Sequence, residues 1–240
     1  MDGVGEPKLL VRGGRMPHSF VMKPSGARLL NGARVVFWVG PELEGFLTKP
    51  LAGLSPKTRV VGLAGGKGGD PHIWLDPRKA YEMVRTMADV LSAVDPANAG
   101  RYQKNADKLA ARLALLEARL RRILLPVSAV PYLVFHDAYE HFQQRFGLAA
   151  RGAVALKADR PPGARRISEL RRRIVDLEIA CVFTEPQFTP ALAKTLVEGT
   201  VARLVVLDPL GAALEPGPGL YPELMRELAK SLLRCLGANG

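Results

Sequence analysis

The sequence predicts an α/β protein with mostly parallel sheet, built in two halves around one long helix. Short apolar runs at 33–39, 59–63, 131–135, 179–183 and 203–207 alternate with stretches of three-four apolar spacing. That alternation is the pattern of parallel strands joined by crossover helices. Between them lies a single helical stretch from about 97 to 125, whose leucines at 109, 113, 116 and 120 keep the helical period. At 1.5 Å per residue it makes a rod of roughly 40 Å, long enough to serve as a strut between two domains. After Pro126 the strand-helix alternation restarts.

In chain order, Leu9-Leu10-Val11 reads as a short strand running into a loop that carries Met16-Pro17-His18-Ser19-Phe20. A helical stretch follows through Leu29-Leu30, with Ser25 as its expected N-cap. The run 33–39 is a buried strand stopped by Gly40-Pro41, residues 43–47 read as helical, and 59–63 is another strand. The octapeptide Asp70-Pro71-His72-Ile73-Trp74-Leu75-Asp76-Pro77 comes next, and two Asp-Pro steps hold it stiff because proline fixes its own φ and restricts the residue before it. A helix from 78 to 94 ends at Asp95-Pro96, and the long helix begins. In the second half, the strand 131–135 leads into His136-Asp137-Ala138-Tyr139 and a helix to Gly147. Beyond the loop Arg160-Pro161-Pro162-Gly163 come an arginine-rich helix, the strand 179–183 with Thr184-Glu185-Pro186, a helix 190–198, the strand 203–207 with Asp208-Pro209, and a last helix 221–236.

Composition bounds the function classes. At 240 residues, 48% hydrophobic and 24% charged, the chain has material for one large or two small cores. No apolar run approaches the roughly 18 residues of a membrane span. The segment Met1–Pro7 lacks the features of a secretory signal, so for an exported protein the signal is expected to have been removed or to lie upstream. The net charge of +11 raises the question of nucleic acid, and the richest run is Arg165-Arg166 with Arg171-Arg172-Arg173. Apolar residues at 167, 170, 174 and 177 make this an amphipathic helix with its arginines on the solvent side. No aromatic residues interleave to stack on bases, so a nucleic-acid partner is not expected. The two cysteines, Cys181 and Cys235, form no Cys-x-x-Cys motif. They are either free buried thiols or one disulfide, depending on compartment.

The chemistry rests on histidine. Of four in the chain, His18, His72 and His136 lie in turn-rich loops or directly after a strand, and Glu185 and Asp208 occupy the same kind of place. Open α/β sheets bind ligands beyond the carboxyl ends of their strands. Imidazole suits zinc and other borderline metals, and three histidines with one carboxylate complete a tetrahedral zinc site at about 2.0–2.2 Å per bond. A histidine at a strand end is also the usual place of a hydrogen-bonded structural residue, and residue type and place leave both readings open. His141, five residues past His136, falls on another helical face and reads as structural or surface. A metal hydrolase would have the carboxylates for a general base, but there is no His-Glu-x-x-His or Gly-x-Ser-x-Gly motif, so binding without turnover is the simpler reading.

Six stretches in order carry a resemblance over nearly the whole chain: Pro17-His18-Ser19 through Pro24-Ser25, 36–40 with Glu44-Gly45-Phe46-Leu47, Asp70–Pro77, Val134–Tyr139, Phe183–Phe188 and Leu207–Gly211. The chain resembles the zinc-binding receptors of bacterial ABC-type zinc importers, within the metal-binding periplasmic solute receptors. The resemblance implies two doubly wound, Rossmann-like lobes bridged by one long helix, with metal held in the cleft between them. It implies an N-terminal lobe at 1–96, a linking helix at 97–126 and a C-terminal lobe at 127–240. His18, His72 and His136 match the family's ligand histidines, Asp208 a carboxylate that ligates in some members, and Glu185 a motif residue tuning the site from behind. Cys181 and Cys235 match a strand-to-helix disulfide of zinc-type members. A histidine at 136 favours Zn²⁺ over Mn²⁺, the alternative cargo within the family. The expected partner is an inner-membrane ABC-type metal permease, the expected place the periplasm, and the expected state a monomer. Three departures accompany the match. The family's first strand and helix, which would precede Met1, are missing, leaving a sheet edge unpaired. Its His- and acid-rich loop is reduced to Gly65-Gly66-Lys67-Gly68-Gly69. Arg12 and Arg15 stand near His18, where a cation opposes metal binding.

Overall fold

The computed structural model describes residues 1–12, 14–66, 68–155 and 163–237. The loop Arg160-Pro161-Pro162 and Lys67 lie outside the described residues. The chain forms two compact units, Met1–Leu116 and Glu117–Gly240. The boundary between them falls inside one helix, so the long helix belongs to both.

The first unit contains α1 (Pro24–Asn31), β1 (Val35–Trp38), α2 (Thr48–Ala52), β2 (Arg59–Gly62), α3 (Pro77–Val94) and most of α4 (Ala99–Leu124). Strands β1 and β2 pair in parallel, Val35 opposite Arg59 through Trp38 opposite Gly62. Leu30, Val36, Leu47 and Leu51 form the core here, with Leu10, Met22, Trp38 and Phe46 packed against it. A second cluster, Ala88, Tyr102 and Ala106 with Val84 and Leu91, joins α3 to α4. The Glu44 carboxylate closes the end of β1, accepting the Val39 N–H at 2.6 Å and the Gly40 N–H at 3.3 Å.

The second unit holds β3 (Tyr132–His136), α5 (Glu140–Phe146), β4 (Ala150–Ala155), α6 (Ala164–Asp176), β5 (Cys181–Thr184), α7 (Pro190–Val197), β6 (Arg203–Val206) and α8 (Leu220–Leu236). Its sheet runs β4-β3-β5-β6, all parallel. All five residues of β3 are buried, as expected of a central strand covered on both faces. One face, carrying Leu133, Phe135 and Val182, packs on Leu170 and Ile174 of α6 and Ala193 and Leu196 of α7. The other face, by strand alternation, carries Tyr132, Val134, Cys181 and Phe183, where Tyr132 and Phe183 meet edge-on at 5.4 Å between centroids. Cys181 is disulfide-bonded to Cys235 of α8 across 54 positions, tying α8 to that second face. Gly147 ends α5 in the left-handed region at φ +67, a backbone conformation that disfavours a Cβ.

Several expectations need correction. Leu9-Leu10-Val11 is not a strand among the described residues. Leu10 packs on the first core while Leu9 is 55% exposed, and the run joins no ladder. Ser25 is not the cap of α1, because Pro24 already occupies the first turn and Lys23 is the flanking residue. The residues 43–47 give only a 3-10 turn, Gly45–Leu47, running into α2. Strand β4 was unforeseen. Arg151 and Gly152 break its apolar run, only its second half is buried, and its register against β3 shifts midway. The arginines of α6 do not simply face water either. Arg166 donates to the Ala153 carbonyl, Arg173 to that of Arg151, and Arg171 to those of Thr195 and Glu198 at the end of α7. They satisfy carbonyls at the edge strand and at a helix C-terminus, groups with no partner within their own element.

Two measurements test this packing. Closing a 54-residue loop is worth about 4 kcal/mol by chain entropy. The variant C181A/C235A is therefore expected to lose about 2–4 kcal/mol in denaturant unfolding, and wild type under reductant to lose as much. Burial pushes the Glu44 carboxyl up, against the pull of the two N–H bonds it accepts. The folded value lies above the unfolded one, so the ionised group costs stability at neutral pH and the cost is relieved as pH falls through the folded value. Thermal melts of wild type and Glu44→Gln should thus shift in favour of the wild type on acidification from pH 7 toward the carboxylate range.

Candidate metal centre

In the first unit, two loops bring His18 and His72 together. His18 sits in a 3-10 turn, Pro17–Ser19, closed by the Phe20 N–H on the Pro17 carbonyl. His72 flanks a second 3-10 turn, Ile73–Leu75, with ordinary negative φ. The first Asp-Pro step makes the ring rigid: Asp70 Oδ1 accepts the His72 N–H at 3.0 Å and lies 2.5 Å from Nδ1 of the same residue. The second starts a helix, Asp76 capping α3 by accepting the Arg78 N–H at 2.8 Å with Pro77 in the first turn. Trp74 meets the His72 ring edge-on at 5.2 Å, and both His72 and the Asp70 carboxylate are buried.

This anchoring decides which nitrogen is presented. A proton on Nδ1 held by Asp70 leaves the His72 Nε2 lone pair outward. Nε2 of His72 lies 3.3 Å from Nε2 of half-buried His18. That distance suits a hydrogen bond if one ring donates. It is also the edge of a zinc tetrahedron, about 3.3 Å for two bonds of about 2.0–2.1 Å. Arg15 and Lys23 line one cavity with Met16, Ser19, Phe20 and Val21, on the loop that carries His18.

In the second unit, His136 ends β3, Glu185 follows β5 and Asp208 follows β6, at the carboxyl end of three adjacent parallel strands. His136 and Glu185 are both buried, and His136 Nδ1 is 3.4 Å from Glu185 Oε1. Phe188 covers the His136 ring edge-on at 5.9 Å. Behind them Tyr139 donates its hydroxyl to the Leu207 carbonyl at 2.7 Å. Burial pushes that phenol far up, and the negative Glu185 and Asp208 push it further, so it stays a neutral donor. Asp208 is engaged locally, Oδ1 accepting the Leu210 N–H at 3.0 Å and Oδ2 the Ala212 N–H at 2.6 Å. Asp208 thus caps the turn that follows it, while each oxygen keeps a further lone pair. His141 lies half-buried in α5, among the helix positions and not at the strand ends.

Two participants escaped sequence reasoning. Asp70 was read as a turn residue, although an aspartate two positions before a histidine is placed to reach Nδ1. Tyr139 was read as part of a motif, and nothing in the sequence foretells its bond to a carbonyl 68 positions away.

The fold and these residues define an α/β protein with histidines set beside buried carboxylates, the class to which metal-binding receptors belong. The model of the family described as zinc-uptake complex component A, periplasmic, matches residues 1–235, and the chain belongs to that family. It is similar to the high-affinity zinc uptake system protein ZnuA of Brucella abortus, 38% identical over 98% of this chain and 86% of that protein. It is also similar to the protein of the same name in Paracoccus denitrificans, 33% identical over 100% of this chain and 87% of that one. A crystal structure of ZnuA superposes with a TM-score of 0.84 at 23% identity, over 95% of this chain and 90% of that one, which shows a shared fold.

Asp70→Asn is expected to release the ring tautomer. Long-range ¹⁵N–¹H spectra of the metal-free protein should show His72 protonated at Nδ1 in the wild type and a mixture of tautomers in the variant.

Proposed function

We propose that the protein is a zinc-binding solute receptor that captures Zn²⁺ and delivers it to an ABC-type metal permease for import. The observation that carries this reading is the pair of imidazole nitrogens 3.3 Å apart in the first unit, one of them held in its ligating tautomer by Asp70. Family membership and the printed names of the relatives support the cargo. On this reading His18, His72 and His136 are the ligands and Asp208 the fourth. Asp70 and Glu185 orient the rings from behind, in the carboxylate–histidine–zinc arrangement. Three neutral imidazoles and one carboxylate leave a site charge of +1, modest enough for a receptor that must also release its ion.

The protein works as a monomer in the periplasm, where the Cys181–Cys235 disulfide is stable to the ambient redox poise. The permease is its partner in transport, and the protein is a receptor and not an enzyme. Zinc is preferred over manganese because the ligands are mainly imidazole, whereas manganese favours carboxylate and water.

Competition titration with a zinc chelator at neutral pH tests the ligand set. Removing a ligand should cost more than the 10–100-fold typical of an outer partner, so His72→Ala is expected to bind zinc more than about 100-fold more weakly. Equal affinities would sink the proposal. Protons and the metal compete for the same imidazole lone pairs, so zinc affinity should weaken on acidification.

A further inference from the structure

We propose that the solvent face of α4 is a docking stripe for an anionic phospholipid bilayer surface. The helix carries seven cations, and six of them, Arg101, Lys104, Lys108, Arg112, Arg119 and Arg122, are exposed and fall on one side. At 3.6 residues per turn they lie within an arc of about 80°, and from 101 to 122 the stripe runs about 32 Å. Leu115 lies in the same arc near its middle and is 74% exposed.

The stripe is not an ordinary solvated helix face, which intersperses both signs. Helix α4 has two acids, and both are engaged elsewhere: Asp107 pairs with Arg85 at 2.9 Å, and Glu117 with Arg121 at 3.0 Å and with Arg145 at 3.7 Å. Among the described residues Lys104, Lys108, Arg112, Arg119 and Arg122 have no ion-pair partner, and Arg101 donates only to the Gly3 carbonyl. Lys104–Lys108 and Lys108–Arg112 are like-charge pairs four apart, a spacing that weakens a helix. By contrast α8 intersperses signs, pairing Glu223 with Arg226 and Lys230, and Glu227 with Lys230. The repulsion along α4 is relieved by an anionic partner.

The chemistry of the stripe selects the partner. Its arc holds no aromatic side chain and, apart from Leu115, no apolar one, so it lacks the desolvated centre of a specific protein interface. It equally lacks rings to stack on bases. A row of long cations around one protruding leucine matches a bilayer surface: the charges meet the headgroups and the leucine reaches the acyl boundary. Among the described residues no helix is long and apolar enough to cross a membrane, so the contact is peripheral. Each Lys or Arg near an anionic surface strengthens attachment about fivefold (about 1 kcal/mol).

Co-flotation of the full chain with vesicles of phosphatidylcholine alone, or with 30% phosphatidylglycerol, tests the stripe. Three variants are compared with wild type: K104E/K108E/R112E, L115S, and K49E/K57E/K194E, the last changing net charge equally at exposed lysines outside α4. Wild type is expected to float with the anionic vesicles only, and to detach in 0.5 M salt as screening shortens the field. The stripe variant should bind at least about 100-fold more weakly, L115S severalfold more weakly, and the control triple close to wild type. Circular dichroism and thermal melts check that each variant folds, independently of the zinc reading. Equal loss in stripe and control variants, binding to neutral vesicles, or binding to polyglutamate without binding to vesicles would each overturn the proposal.

Discussion

Everything in the candidate centre depends on a carboxylate holding Nδ1 of a buried imidazole. Asp70 does this for His72 at 2.5 Å, and Glu185 stands behind His136 at 3.4 Å. An imidazole has two nitrogens that exchange roles with the tautomer, so a ring without such a partner presents a lone pair only part of the time. A carboxylate acceptor removes that ambiguity and raises the ligand's basicity. It also brings a burial cost, since an isolated carboxylate away from water is unfavourable unless a donor or cation meets it. The structure meets that cost on one side only. Asp70 takes two donors from one residue two positions away. Both Glu185 oxygens are buried without a hydrogen-bond partner, one of them 3.4 Å from His136 Nδ1.

The parallel sheet is what makes the second arrangement available. Side by side, β3, β5 and β6 end in His136, Glu185 and Asp208, so three residues far apart in sequence arrive at one edge without any local motif. Tyr139 then bonds the Leu207 carbonyl one residue before Asp208, linking the loop after β3 to the loop after β6. The disulfide works at a distance from this edge, fixing α8 against the face that carries Tyr132 and Phe183. Rigidity beneath the loops is what lets the loops carry chemistry.

Much of this was legible in the sequence, for physical reasons. Parallel strands read as apolar runs, and β3 and β5, fully buried, and β6, partly exposed, appeared as such; long amphipathic helices such as α3, α4 and α8 declare themselves by period. What failed were runs whose composition and pairing disagree. In β4 the residues Arg151 and Gly152 hide a strand whose edge carbonyl is capped by an arginine of α6. Leu9-Leu10-Val11 mimics a strand but pairs with none, and only packs Leu10 on the first core. The candidate histidines were visible because turns and prolines flank them. Their orientation was not, since a tautomer depends on a hydrogen bond that only coordinates reveal, as Asp70 illustrates. The arginines of α6 teach the same lesson: periodicity gave their face but not the carbonyls they meet.

The central claim, zinc held mainly by imidazole, is tested most directly by X-ray absorption at the zinc edge of the protein loaded with one equivalent. The expected spectrum has four nitrogen or oxygen neighbours at about 2.0–2.1 Å, with the outer-shell scattering of three imidazole rings and no sulfur. A six-coordinate oxygen shell with one imidazole or none, or a sulfur neighbour near 2.3 Å, would contradict it.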